Sequence, residues 1–164
     1  MADAESEFLA AARAFRAGLV ADDVEQGEFA RQVRDALARV YLAAALLGPP
    51  RAVEADDDPP DAGPEPSESR ALWGKLSARF GEHDLYIDVF DPSQLTGDDA
   101  KAMSGSITQD LVEIDDDLAE AIAWLEQDTP GVLWDIRWAF ENHWGRHALA
   151  CLRPLHQIAV YGVV

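Results

Sequence analysis

The chain has 164 residues, 31 acidic against 13 basic, a formal net charge of −18 and 48% hydrophobic content. That length supports one domain burying about two-thirds of its extended-chain surface, and that charge excludes a partner held by its phosphate backbone, since nucleic-acid affinity comes largely from Lys and Arg. No window approaches the ~20 apolar residues of a membrane span, the start Met1-Ala2-Asp3-Ala4-Glu5 is acidic where a signal peptide is basic, and the lone Cys151 cannot form an internal disulfide, so a cytoplasmic protein is expected.

Phe8, Ala12, Phe15 and Leu19 recur at spacings of four, three and four, which predicts a first helix from about Asp3 to Val20. A second is predicted from Val24 to Leu47, with Phe29, Val33, Leu37, Val40, Tyr41, Ala44 and Leu47 on one side, and Gly48-Pro49-Pro50 closing it. Residues 48–68 hold Pro, Gly, Asp and Glu, with Val53 as the one sizeable hydrophobe. Such a segment buries too little apolar surface to offset its ordering entropy and reads as a mobile acidic linker. Ser67 or Ser69 caps a third predicted helix carrying Leu72, Trp73, Leu76 and Phe80, with Gly81 at its left-handed end.

The segment from His83 to Pro92 alternates too little for a strand and is too short for a helix. It reads as an ordered helical turn or connector, followed by a loop over Ser93 to Ser104. Ser106 and Gln109 then form an S-x-x-Q capping box ahead of a fourth helix with the stripe Ile107, Leu111, Ile114, Leu118, Ala121, Ile122 and Leu125. Thr129-Pro130 reads as N-cap and first helical position of a last helix running to about Val160. Leu133, Ile136, Phe140, Trp144, His147, Cys151, Leu155 and Ile158 share its apolar face, and Pro154 predicts a kink near 150–154. The predicted fold class is all-α: a single domain over 1–164, with five or six mostly antiparallel helices.

His143 and His147 are four apart and so stand one turn above the other on the last helix. Asp110, Glu113 and Asp117 line one flank of the fourth helix's core stripe. Were that flank to face the last helix, imidazoles and carboxylates would meet as a site for a divalent transition metal. The Glu-x-x-His spacing of di-iron bundles and the His-Glu-x-x-His motif are both absent. The architectural alternative makes His147 a core histidine bonded to an acid of the fourth helix. Cys151, one turn beyond His147, reads as packing, and Ser104-Gly105-Ser106 reads as capping. Trp73 and Trp144 lie on core stripes, whereas Trp138 projects nearly opposite Phe140 and could anchor a partner.

Taken together, Leu72-Trp73-x2-Leu76-x3-Phe80-Gly81, Asp84-x-Tyr86-x3-Phe90-Asp91-Pro92, Asp110-Leu111-x-Glu113-Ile114 and His143-Trp144-Gly145-x-His147 through Leu155-His156 resemble a bacterial family. It is domain of unknown function 5063, small helical proteins without an assigned activity. The resemblance spans roughly residues 5–160, with HWG-x-H its most specific element, and implies a helical fold and a bacterial cytoplasmic setting. An aromatic often follows the acid-Ile pair in that family, where this chain has Asp115. No catalytic constellation is complete, so the leading expectation is a non-catalytic interaction or regulatory module. It needs no cofactor, and its acidic surface meets a basic protein partner. The alternative is a metal-binding protein or metal-dependent enzyme using His143, His147, Asp110, Glu113 and Asp117.

Overall fold

The computed structural model describes residues 2–22, 24–48, 62–89, 91–98 and 100–162. The first two helices, α1 (Ala2–Leu19) and α2 (Gln26–Ala45), form a hairpin whose facing stripes are the predicted ones. Phe8, Ala12, Phe15 and Leu19 are buried against Phe29, Val33, Leu37, Val40 and Ala44, while Tyr41 and Leu47 are only partly covered. Each buried Phe or Leu contributes about 2 kcal/mol of apolar burial, which outweighs the weak propensity of helices this short. The linker expected over 48–68 lies mostly at 49–61, outside the described residues.

The third helix, α3 (Pro66–Phe80), starts earlier than predicted, with Glu65 at the N-cap and Pro66 at the first helical position, where a missing N–H costs nothing. Neither Ser67 nor Ser69 caps it, and Ser69 Oγ instead donates to Asp116 Oδ1 at 2.8 Å. Leu72, Leu76 and Phe80 are buried, but Trp73, expected in the core, is 43% exposed on the flank of that stripe. Gly81 takes the positive φ expected of it and leads into a short 3-10 turn, Gly81–His83.

The segment read as a connector is a strand. β1 (Leu85–Val89) pairs antiparallel with β2 (Ala102–Ser106), Tyr86 opposite Gly105 and Asp88 opposite Met103. The alternation was illegible because its polarity is inverted. Leu85 and Ile87 point outward, 70% and 65% exposed, while Tyr86 and Asp88 turn toward the protein. Its partner lies across a loop and has Met103 as its one large hydrophobe, so β2 carries no strand signal of its own.

α4 (Ile107–Glu126) begins where the capping box placed it, with Ser106 Oγ accepting from Gln109 N at 3.1 Å. The side chain of Gln109 goes to Glu113 and so leaves the box half made. Asp84 completes the cap: its Oδ1 accepts from Thr108 N at 2.7 Å and its carbonyl accepts from Ile107 N at 2.8 Å. The α4 stripe is buried as predicted, apart from a partly covered Leu125. Asp115 accepts two hydrogen bonds from Arg16, at 2.8 and 3.2 Å, which pins α1 to α4.

The last rod starts two residues later than Thr129-Pro130 suggested. Asp128 and Gly131 both take positive φ, and Gly131, not Thr129, is the N-cap of α5 (Val132–Ala139). A π turn, Phe140–Trp144, joins α5 to α6 (Gly145–Tyr161), so the six α-helices among the described residues read as five rods. The departure from α geometry therefore falls at 140–144 rather than at 150–154, and α6 runs on through Pro154. Phe140 packs edge-on to Tyr41 with centroids 5.0 Å apart and against Trp144 at 4.9 Å, so the turn sits in the core. Among the described residues no helix is long and apolar enough to cross a membrane.

Candidate metal centre

The acidic flank of α4 faces the π turn and α6, bringing Asp110, Glu113 and Asp117 to His143 and His147. The five divide into two kinds. His147 Nδ1 donates to Asp110 Oδ1 at 2.9 Å, and His143 Nδ1 donates to Asp117 Oδ2 at 2.6 Å. With each Nδ1 so engaged, both Nε2 atoms turn to one oxygen, Glu113 Oε2, at 2.9 Å from His147 and 4.0 Å from His143. Gln109 Nε2 holds the other oxygen of Glu113 at 2.9 Å. Every converging group thus has its own orienting partner, and all three partners lie on α4.

The convergence follows from local sequence. Gln109, Asp110, Glu113 and Asp117 occupy neighbouring positions over two turns of one helix. The π turn and α6 set the two rings 5.0 Å apart. Asp110 is buried beneath the site and also accepts from the Tyr86 hydroxyl, so one carboxylate ties β1 to α6. Burial is the main cause raising the Tyr86 phenol far above its usual range, with the Asp110 carboxylate adding to it. His147 is raised chiefly by its bond to Asp110, against the opposing effect of burial. Asp117 is raised by burial, with His143 acting the other way.

Tyr86 reaches Asp110 because Gly105, opposite it in the hairpin, has no side chain. A Cβ there would stand 2.3 Å from Tyr86 Cζ. Gly105→Ala is therefore expected to swing the ring out and break the bond to Asp110, costing about 2 kcal/mol in urea unfolding. Tyr86→Phe in the Gly105→Ala background should then add almost nothing, as a double-mutant cycle would read directly.

Sequence reasoning gave Gln109 and Gly105 to capping and Tyr86 to the family pattern, and assigned none of the three to the site. Reading HDLYIDV as a strand with its polar face inward would have found Tyr86. Cys151 is fully buried, and burial pushes its thiol well up, which leaves a packing residue rather than a nucleophile. Trp138 is 53% exposed, and Trp134, one turn earlier, is 55% exposed; both stand on α5, outside the His–carboxylate group.

A family model described as a domain of unknown function (DUF5063) matches residues 2–161. No curated protein matches the chain. Among solved structures, the crystal structure of protein BF1032 from Bacteroides fragilis superposes with a TM-score of 0.76 at 22% identity, covering 93% of this chain and 90% of that one. That likeness is one of fold.

Proposed function

The chain belongs to the DUF5063 family, and we propose that it is a metal-binding protein that holds one divalent transition ion through His143 Nε2, His147 Nε2 and Glu113. The observation that carries the reading is the turning of both imidazoles by their own aspartates so that their Nε2 atoms meet at one carboxylate oxygen. A carboxylate on the far nitrogen of a metal-ligating histidine is the usual way to fix its tautomer and raise its basicity. Donor atoms around a tetrahedral zinc ion stand about 3.3 Å apart, given bond lengths near 2.05 Å. The candidate atoms all lie within 4.8 Å of one another, so small side-chain shifts reach that spacing. Asp110 and Asp117 are orienting groups in this assignment rather than ligands.

Two imidazoles and one carboxylate suit zinc, iron, manganese or nickel and leave a coordination position for water or a ligand. A basic protein partner at the acidic surface is the weaker reading, because nothing around the exposed Trp134 and Trp138 selects an occupant.

The test is metal content by plasma mass spectrometry on untagged protein, beside Glu113→Gln and His147→Ala. About one equivalent of metal is expected in the wild-type protein, falling below about a tenth in both variants, while circular dichroism shows the helical fold retained. Absence of metal from the wild-type protein, after incubation with zinc, iron(II), manganese and nickel in turn, would overturn the reading. The histidines would then be architectural.

A further inference from the structure

The hairpin has one backbone edge without a partner among the described residues. Ile107 N donates to the Asp84 carbonyl at 2.8 Å, which makes Asp84 and Ile107 a hydrogen-bonded pair. Bonded and non-bonded pairs alternate along an antiparallel ladder, so Tyr86–Gly105 and Asp88–Met103 are the bonded pairs of the hairpin. The backbone groups of Leu85, Ile87 and Val89 therefore point away from β2, and those of Ala102 and Ser104 point away from β1. On the β1 side, Arg153 of α6 donates to the Ile87 carbonyl at 3.2 Å. On the β2 side, no described residue bonds to the outward groups of Ala102 or Ser104, and both residues are exposed. We propose that this edge of β2 binds an extended peptide segment of a partner protein, one in which basic and apolar residues alternate.

A strand edge offers N–H and C=O groups in fixed alternation, which a second strand satisfies and a compact ligand does not. In an antiparallel ladder, residues opposite one another point to the same face of the sheet. Side chains of the added strand opposite Met103 and Gly105 thus turn toward α6, where a pocket of about 570 Å³ lies beneath the hairpin. Val89, Pro92, Met103 and Leu149 give that pocket an apolar lining. Met103 and Leu149 are still 48% and 56% exposed, so apolar side chains entering there cover surface that the chain itself leaves open. The wall makes no demand for a charged side chain: Asp88 is paired with Arg153 at 3.6 Å, and Asp110 is held by His147 and Tyr86.

The residue opposite Ser104 points the other way, to the solvent face. A chain with a charge of −18 draws basic side chains to that face and repels acidic ones. Unlike the tryptophans of α5, this edge therefore selects its occupant. None of the proposed metal ligands takes part in the strand pairing.

The test is an amide-resolved NMR titration of the full chain with acetyl-Lys-Leu-Lys-Leu-Lys-amide at low salt. The amides of Ala102 and Ser104 are expected to shift, together with the methyls of Met103 and Leu149. Ser104→Pro removes an outward N–H that β1 does not use, so it should keep the hairpin and weaken binding about tenfold or more. On the wild-type chain, an N-methyl group on the middle lysine, whose N–H faces Ser104, should do the same, whereas one on either leucine should not. The glutamate analogue acetyl-Glu-Leu-Glu-Leu-Glu-amide should bind at least about tenfold more weakly. Shifts absent or confined to other surfaces, undiminished binding by a folded Ser104→Pro, equal loss from lysine and leucine N-methylation, or equal binding of the glutamate peptide would each overturn the proposal. So would a doubled mass of the free chain in sedimentation, with the same amides shifted by protein concentration alone, which would give the edge to a second copy.

Discussion

Gly145→Ala is expected to lower stability by about 3 kcal/mol, or roughly 6–12 °C in Tm for a chain of this size. A Cβ at this position would lie 2.3 Å from the carbonyl oxygen of Phe140 and about 3 Å from its ring. The first of these is backbone, inside a π turn whose flanking rings are packed against Tyr41 and Trp144, so nothing nearby can yield cheaply. Gly74→Ala is the control: α3 leaves open space there, and alanine should be neutral or stabilising by up to about 1 kcal/mol through helix propensity. The same substitution at 145 has a second consequence. His143 lies in the π turn and His147 just beyond it, so relaxing the turn changes the angle between the two rings and should weaken metal uptake in proportion. Thermal scans of the two variants side by side check the first effect, and zinc titration checks the second. Equal melting temperatures would show that the turn is not held by its packing.

Asp110→Ala should have an effect at least as large. The carboxylate is buried, and its two oxygens accept from different elements, one from the Tyr86 hydroxyl and one from His147. Removing it leaves two polar groups without their partner, at a cost of about 3–5 kcal/mol. It also frees the His147 ring to rotate, so metal affinity should fall 10- to 100-fold although no ligand is lost. Asp110→Asn separates these effects, since the amide keeps the volume and much of the bonding but removes the charge. In the metal-free protein, His147 is raised above its ordinary 6.5, mainly through Asp110. The stability this adds is fully present below pH 6.5 and is lost as pH rises through the raised value. Asp110→Asn should flatten that loss in urea unfolding series run from pH 5.5 to 8.5.

The helical frame was legible because its signals are local and redundant. Stripes such as Phe8, Ala12, Phe15 and Leu19 repeat one period over several turns, and Ser106 marks the start of α4 by its own chemistry. The five candidate site residues could be listed for the same reason, as helix-face neighbours on what reads in the sequence as two helices, although His143 lies in the π turn and His147 on α6. What brings those faces together is tertiary, and no spacing within either helix encodes it. The hairpin was misread because strand recognition relies on apolar residues facing inward, and β1 has Tyr86 and Asp88 there. Thr129-Pro130 carried a good start signal, yet the positive φ of Asp128 and Gly131 moves the chain two residues on before the helix forms. Asp115, where the resembled family often has an aromatic, shows the reverse case: a departure from pattern that the structure explains through Arg16.

The inverted strand has a further cost that its site role conceals. Among the described residues β1 pairs with β2 alone, and β1 carries the exposed Leu85 and Ile87, residue types that invite a second chain to align and extend the sheet. The guanidinium of Arg153 lies against the backbone oxygen of Ile87 and occupies one of the acceptors an incoming strand would need. A charge of −18 adds repulsion between copies approaching one another. Arg153 thus covers part of the β1 border, and Arg153→Ala is expected to raise self-association, as light scattering beside the wild-type chain would read.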